Sequence, residues 1–201
     1  MNVAEAIELR RAVKAFDPNH RMSEAEVEQL MSLALLSPTA WNIQHWRFVL
    51  VRDPELRRQV RSAAWDQSQV TDASLLIIIT ANLKAWQDEP ARYWRTADPA
   101  VRDWLVGALT QFYQGRDWLQ RDDAMRSCGI AAQTLMLAAQ ELGYQSCPMD
   151  GFDFDAVGRL IDLPADHAVA MFVAIGKGIQ PARPRGGQLA MNEVVLTDRF
   201  H

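Results

Sequence analysis

The sequence predicts an α+β domain in which a small sheet is flanked by helices. Residues 75–80 form an apolar run that is aliphatic on both faces, which is the pattern of a strand buried within a sheet, and the apolar run at residues 168–175 is predicted to be the last core strand. Longer segments with apolar residues at helical spacing lie between and around them. No internal repeat and no linker divides the 201 residues, so we expect a single domain spanning 1–201.

The first half of the chain carries local signals for the ends of helices and strands. Ser23 and Glu26 have the spacing of a capping box, which predicts the start of a helix. Asp53 followed by Pro54 predicts a second start. The elements predicted here are a helix ended by Ser37-Pro38, a strand at 47–51, a helix reaching about residue 64, and the strand at 75–80.

The second half begins with residues 82–98, which are rich in Trp, Arg, Pro and acids and lack periodicity, so we expect an irregular excursion. The elements predicted after it are helices at about 99–119 and 122–142, a strand at 145–149, a short helix at 155–161 and the strand at 168–175. Residues 129–139 are apolar or small nearly all round, so we expect a second subunit to cover that helix. Residues 194–196 are apolar enough to form an edge strand or to lie on a neighbour.

The composition excludes several classes of protein. The net charge of −4 argues against nucleic-acid binding, which needs a surplus of cations. Four scattered histidines and two cysteines show no metal-ligand spacing, so we expect no metal. The N-terminus lacks the features of a signal peptide, and the longest wholly apolar run, 75–79, is too short to cross a bilayer. We therefore expect a cytoplasmic protein without a membrane partner.

Cations are concentrated near both ends of the chain. Arg10, Arg11 and Lys14 lie within five residues, and on a helix Arg10 and Lys14 would share a face and hold one anion between them. The alternative is a solvated basic end that complements a helix C-terminus. The tail carries Arg183 and Arg185. Neither GxGxxG nor GxxxxGK[ST] occurs, yet a bound phosphate would explain cations at both ends.

Three stretches, in this order, resemble a known family: Arg10-Arg11-x-x-Lys14-x-Phe16, Ser37-Pro38-Thr39-Ala40-x-Asn42-x-Gln44-x-Trp46, and Gly143-Tyr144-x-x-x-Pro148-Met149-Asp150-Gly151-Phe152. Together they resemble the nitroreductase family of FMN-dependent NAD(P)H oxidoreductases, essentially from end to end. The resemblance implies a nitroreductase-like α+β fold with a central, mostly antiparallel sheet. It also implies an intertwined homodimer with two FMN sites at the subunit interface.

The resemblance also implies which residues bind FMN. Arg10 and the tail arginines, chiefly Arg185, would hold the phosphate. Lys14 would face the N1/O2 edge of the flavin and stabilise its anionic reduced form. The other residues implied to bind the cofactor are Arg11, Ala12, Pro38, Thr39, Ala40, Asn42, Gln69, Pro148, Met149, Asp150, Gly151 and Arg183. Of these, 38–42 would reach in from the partner subunit, and the backbone N–H of residue 150 or 151 would point at flavin N5.

Several positions depart from the family pattern. Ala12 stands where relatives often carry Ser, His45 where they carry Pro, and Trp41 where they carry a small residue. Trp41 and His45 either narrow the substrate slot or pack across the dimer, and both alternatives stay open. Residues 66–69 match only in part, and Gln69 is the position carried over.

The function that the resemblance implies is reduction of a small-molecule electron acceptor, a nitroaromatic or a quinone, with NADH or NADPH as reductant in a ping-pong cycle. The sequence contains no catalytic triad, carboxylate pair or metal set, which agrees with chemistry carried by a cofactor. One alternative is a non-catalytic flavin carrier or sensor on the same fold. Another is an interaction domain whose cations form a surface patch.

Overall fold

A four-stranded antiparallel sheet lies at the centre of the computed structural model, which describes residues 1–200. The strands are β1 (Trp46–Leu50), β2 (Leu75–Asn82), β3 (Gln145–Met149) and β4 (His167–Gly176), in the order β1-β2-β4-β3. Every residue of β2 is buried, because the strand has a neighbour on each side and apolar layers over both faces. The expected α+β class with an antiparallel sheet is confirmed.

Helices form a layer on each face of the sheet. The helices in the described residues are α1 (Val3–Leu9), α2 (Glu24–Ala34), α3 (Pro54–Ala63), α4 (Gln69–Asp72), α5 (Pro99–Tyr113), α6 (Asp117–Glu141), α7 (Phe154–Leu160) and α8 (Met191–Val194), of which α2, α3, α6 and α7 supply the layers. One core layer joins Leu30 of α2 and Leu135 of α6 to the sheet, and the other joins Val60 of α3 and Val157 of α7 to its opposite face. The sheet is therefore the middle layer of three.

The predicted helix starts are confirmed where capping chemistry indicated them. Ser23 is the N-cap of α2, where its hydroxyl accepts from the Glu26 N–H and the Glu26 carboxylate accepts from the Ser23 N–H. Asp53 caps α3 by accepting from the N–H of Glu55 over 2.9 Å. Each such cap contributes about 1 kcal/mol of stability.

Two predicted elements are wrong. The helix predicted at 99–119 is broken, because α5 ends at Tyr113 and α6 begins at Asp117. Gly115 between them has a φ of 72°, a left-handed conformation that a right-handed helix does not contain. The edge strand offered for residues 194–196 is also wrong, because the four-residue helix α8 begins at Met191 and no strand pairing occurs there.

Helix α6 is covered on one side only. Ala131, Ala132 and Leu135 are buried against the sheet, whereas Gly129 and Ile130 are exposed. A long helix with an exposed small and apolar strip is consistent with a covering neighbour. The second subunit stays a prediction.

The excursion at 82–98 builds a small core of its own. Trp86 and Tyr93 pack with Leu109 and Tyr113 of α5, and a 3-10 turn covers Pro90–Trp94. The Tyr93 hydroxyl donates to the carbonyl of Ala85 over 2.8 Å. The excursion is therefore anchored to α5.

Candidate functional site

The basic segment at residues 10–14 is extended and lies beside β3. Helix α1 ends at Leu9, and beyond it Ala12 forms a parallel bridge with Ser146, whose carbonyl accepts from the Val13 N–H over 3.0 Å. The helical face predicted for Arg10 and Lys14 is therefore wrong, because pairing with a distant strand overrides the local spacing. In extended backbone alternate residues share a side, so Val13 is buried while Ala12 and Lys14 are exposed.

The chain after β4 returns to this segment and brings the tail arginines with it. Phe16 bridges Gly178, and the Ile179 N–H donates to the Ala15 carbonyl over 3.0 Å. Farther along, the Arg11 guanidinium donates to the Arg183 carbonyl. The described structure thus brings together the two basic ends of the chain.

The side chains of Arg11 and Arg185 lie where the tail crosses the end of α1, and they contact the backbone of Arg183 and Arg10 respectively. Arg185 Nη2 donates to the carbonyls of Glu8 and Arg10 over 3.2 and 3.4 Å, beside the contact between Arg11 and Arg183. Within residues 1–200 none of these arginines forms an ion pair with a carboxylate. The guanidinium groups of Arg11 and Arg185 thus contact backbone carbonyls and no carboxylate, and such groups are suited to binding an anion.

Lys14 lies near Cys147 in β3. Burial raises the pKa of the Cys147 thiol, and the positive charge of Lys14 opposes that shift. Lys14 is exposed and has no ion-pair partner among the described residues. It therefore provides an uncompensated positive charge beside the strand that carries Pro148 and Met149.

A chain of amides connects Gln69 to the turn that follows β3. The buried Gln69 donates through Nε2 to Gln67 Oε1 over 3.0 Å, and Gln67 Nε2 donates to the Gly151 carbonyl over 2.8 Å. The structure thereby places two predicted residues, Gln69 and Gly151, in one network beside the exposed Asp150. Gln67 is a member that sequence reasoning missed, although its amide lies two residues from Gln69.

Trp65 is a second residue that sequence reasoning missed. Its side chain is next to Gly151, where a Cβ would lie 2.9 Å from Trp65 Cζ3. The residue is 71% exposed and has a φ of 53°, which is rare for a bulky side chain. An exposed indole held in a strained turn forms a ready contact surface at the edge of this site. The only sequence signal for Trp65 is its position four residues before Gln69.

The loop at residues 38–42 lies in a different environment. Asn42 Nδ2 donates to the Tyr93 carbonyl over 2.7 Å, and the Thr39 hydroxyl accepts from the Gln44 N–H over 3.0 Å. In residues 1–200 no hydrogen bond joins this loop to 10–14 or 148–151. A single chain therefore does not bring Pro38, Thr39, Ala40 and Asn42 to the other candidate residues by hydrogen bonding, and their contribution across a dimer stays a prediction.

The two departures near this loop pack within their own chain. The Trp41 ring lies 5.6 Å from the Phe112 ring of α5. His45 is buried, and burial lowers its pKa to about 4. The imidazole is therefore neutral near pH 7 and is not a general acid there.

The described residues, 1–200, form neither a metal-binding cluster nor a membrane-spanning helix. No group of three or more His, Cys, Asp or Glu side chains has the arrangement needed to hold a metal ion. No helix has both the length and the apolar character required to span a bilayer.

Known proteins are similar to this chain over most of its length. The family description that matches is "Nitroreductase family", over residues 7–177. Protein DrgA of Synechocystis sp. is 51% identical over 182 residues, which cover 90% of this chain and 87% of the relative. YodC of Bacillus subtilis, provisionally named an NAD(P)H nitroreductase, is 29% identical over 198 residues, or 96% and 97% of the two chains.

A solved structure extends the similarity to three dimensions. The protein comes from Exiguobacterium sibiricum, is provisionally named a nitroreductase and was crystallised in complex with FMN. It matches with a TM-score of 0.91 and 26% identity, covering 98% of each chain. The sequence match and the shared fold agree. This chain belongs to the nitroreductase family.

Proposed function

We propose that this chain is an FMN-dependent oxidoreductase that takes electrons from NADH or NADPH and reduces a small electron-poor molecule, a nitroaromatic or a quinone. The family match, the NAD(P)H in the name of YodC and the FMN bound to the Exiguobacterium protein support the cofactors. The observation that carries the proposal is the junction of the two basic ends of the chain, where the Arg11 side chain contacts the backbone of Arg183 and the Arg185 side chain contacts the backbone of Arg10.

The arginine cluster fits the phosphate end of FMN. A guanidinium donates two parallel hydrogen bonds and suits phosphate oxygens. The backbone carbonyls that Arg11 and Arg185 now contact are neutral acceptors, and a phosphate would be a stronger one. We therefore assign the phosphate to this cluster, with Arg185 as its principal ligand.

Lys14 and the turn after β3 fit the ring end of the cofactor. When bound, FMN supplies hydride chemistry in two half-reactions, first with NAD(P)H and then with the acceptor, as a ping-pong cycle requires. Lys14 places positive charge where negative charge develops, and charge already in position lowers the cost of reduction. The Gln69–Gln67–Gly151 network holds the turn so that its backbone N–H groups keep one direction.

Trp65 is assigned to the wall of the substrate slot. Its exposed indole next to Gly151 offers a flat apolar surface at the edge of the proposed ring site. Nicotinamide, nitroaromatics and quinones are all flat rings that stack favourably on such a surface.

A homodimer completes this proposal. Exposed apolar side chains are concentrated on α1 and the tail; they include Val3, Ile7, Leu189, Met191, Val194 and Val195. Apolar patches of this kind mark interfaces, and the strip at Ile130 of α6 adds to them. A partner subunit would cover these patches and bring residues 38–42 to the second half of each site.

The test is the visible absorption spectrum of the purified protein, before and after anaerobic NADH and NADPH. We expect a flavin spectrum that bleaches with at least one reductant and returns when a quinone is added. Retention of the flavin colour with both reductants would favour the carrier or sensor. A colourless protein that does not take up added FMN would contradict the proposal.

A further inference from the structure

A second arginine cluster lies at the opposite edge of the sheet. Strands β1 and β3 are the two edges, and the candidate FMN segment pairs with β3. A cleft of about 420 Å³ opens beside the end of β1. Its charged lining residues are Arg21, Arg52, Arg57, Arg58 and Glu24, so four cations face one carboxylate.

Two of these arginines already have carboxylate partners. Arg52 forms a two-pronged contact with Glu24, with both N–O distances 2.6 Å. Arg58 pairs with Glu55 on the first turn of α3. Within residues 1–200, Arg21 and Arg57 form no ion pair. The cleft therefore retains two uncompensated positive charges.

Arg57 is the less well satisfied of the two. Its Nη1 donates to the Ala73 carbonyl over 2.9 Å, while Nε and Nη2 are shielded from solvent and have no acceptor. Burial lowers the pKa of Arg57 to about 10, the charge of Arg21 adds to that shift and the charge of Asp72 opposes it. Leaving buried donors of a charged group unpaired is costly.

The unpaired donors also allow the Arg57 side chain to hydrogen-bond to a ligand. Nε and Nη2 give up no hydrogen bond if the side chain rotates toward the cleft, because they make none now. Arg21 is exposed, and its guanidinium donates only to backbone carbonyls. An anion between the two would offset their repulsion and accept from donors that lack partners.

The lining also includes apolar side chains. Met22, Val27 and Val51 line the cleft next to the arginines. The volume exceeds what a bare inorganic anion fills, so both the size and the mixed lining suit an organic anion with an apolar body.

We propose that this cleft binds a small organic anion, with its phosphate or carboxylate group between Arg21 and Arg57 and its apolar part against Met22, Val27 and Val51. The two head groups share the oxyanion chemistry that guanidinium recognises. The site uses no residue assigned to FMN and lies at the other edge of the sheet.

The test is isothermal titration calorimetry on the FMN-loaded protein at low salt, with phenyl phosphate, benzoate, inorganic phosphate and neutral phenol as probes. We expect phenyl phosphate or benzoate to bind, and the tighter of the two identifies the head group. Inorganic phosphate should bind more weakly than phenyl phosphate, and phenol should not bind. Absence of binding by both aromatic anions up to about 10 mM would overturn the proposal.

Variants locate the binding. Arg57→Met and Arg21→Met should each weaken the aromatic anion by about tenfold or more, since each removes one charge-assisted contact. Arg57→Met should change the thermal midpoint little, because removal of a buried charge with two unpaired donors offsets the loss of its hydrogen bond to the Ala73 carbonyl. Arg95→Met, an exposed arginine in the excursion, is the matched control and should bind as wild type. Unchanged affinity in both cleft variants would refute the assignment.

Titration of FMN-free protein separates this proposal from the proposed function. Binding that disappears when FMN is loaded would place the anion at the flavin phosphate site and overturn the inference. Equal affinity with and without FMN, lost in Arg57→Met, would support the cleft even if the protein proved not to bind flavin.

Discussion

The side-chain amide of Gln67 donates to the backbone carbonyl of Gly151 over 2.8 Å, and this contact ties the turn before α4 to the turn after β3. The same junction places Trp65 against the α-carbon of Gly151. Residue 151 therefore has no room for a side chain unless the Trp65 indole moves.

Gly151→Ala should displace the Trp65 ring, because the new methyl would lie 2.9 Å from Cζ3. We expect a cost of about 1 kcal/mol, at the low end for overpacking because the ring is exposed and can move. In a Trp65→Ala background the same change should cost nothing. Urea unfolding of the four proteins of this cycle measures the coupling. Additive effects would show that the ring does not pack on Gly151.

Arg185→Ala should weaken FMN by about tenfold to a hundredfold, the range for loss of a hydrogen bond to a charged group. Riboflavin lacks the phosphate, so its affinity should be the same in the variant and the wild type. Fluorescence titration with both flavins checks this. An equal loss for FMN and riboflavin would mean that Arg185 acts on the fold rather than on the phosphate.

Lys14→Ala should slow reduction by NAD(P)H by about tenfold or more, because a fixed charge beside the developing anion is lost. Lys14→Arg retains the charge and should retain most of the rate. Stopped-flow measurement of both half-reactions separates this effect from cofactor loss. Normal rates and normal FMN affinity in Lys14→Ala would show that Lys14 does not act at the flavin site.

The Glu26 carboxylate should make the stability of the fold depend on pH in the acid range. Hydrogen bonds from the side chain and backbone of Ser23, and then from the Tyr144 hydroxyl, lower its pKa to about 2. A lowered carboxyl pKa stabilises the fold above the unfolded value of about 4.5, and this stabilisation is lost as pH falls toward 2. Glu26→Ala should therefore lower the unfolding midpoint at pH 7 and lose that difference in acid. Glu28→Ala, exposed on the same helix, is the control. A difference that is constant from pH 7 to 3 would exclude this origin.

The parts of the fold predicted from sequence are those specified by neighbouring residues. Ser23 and Glu26 predict the start of α2 because both partners of the capping box lie within four residues of sequence. The aliphatic run at Leu75 indicates β2 because a strand buried on both faces has no polar side. Lys14 and Gly151 are predicted as site residues because each lies in a stretch that resembles a motif of the family.

The parts that were missed depend on contacts distant in sequence. The segment at 10–14 is extended because Val13 pairs with Ser146, more than a hundred residues away, and helical spacing cannot report that pairing. Trp65 adopts a left-handed conformation that favours Gly or Asn. A tryptophan at this position therefore gives no sequence signal for the turn. Arg57 appears as one of many helix arginines until the fold buries it.

The junction of Phe16 with Gly178 has a consequence for the order in which the molecule is assembled. Arg183 is synthesised 172 residues after Arg11, and Arg185 follows it. Contacts of such long sequence separation carry a high loop-closure cost, so we expect them to form after the sheet that supports them. We therefore expect a nascent chain that has not yet been translated through Arg185 to lack two of the four arginines proposed to bind the phosphate, and to retain FMN poorly.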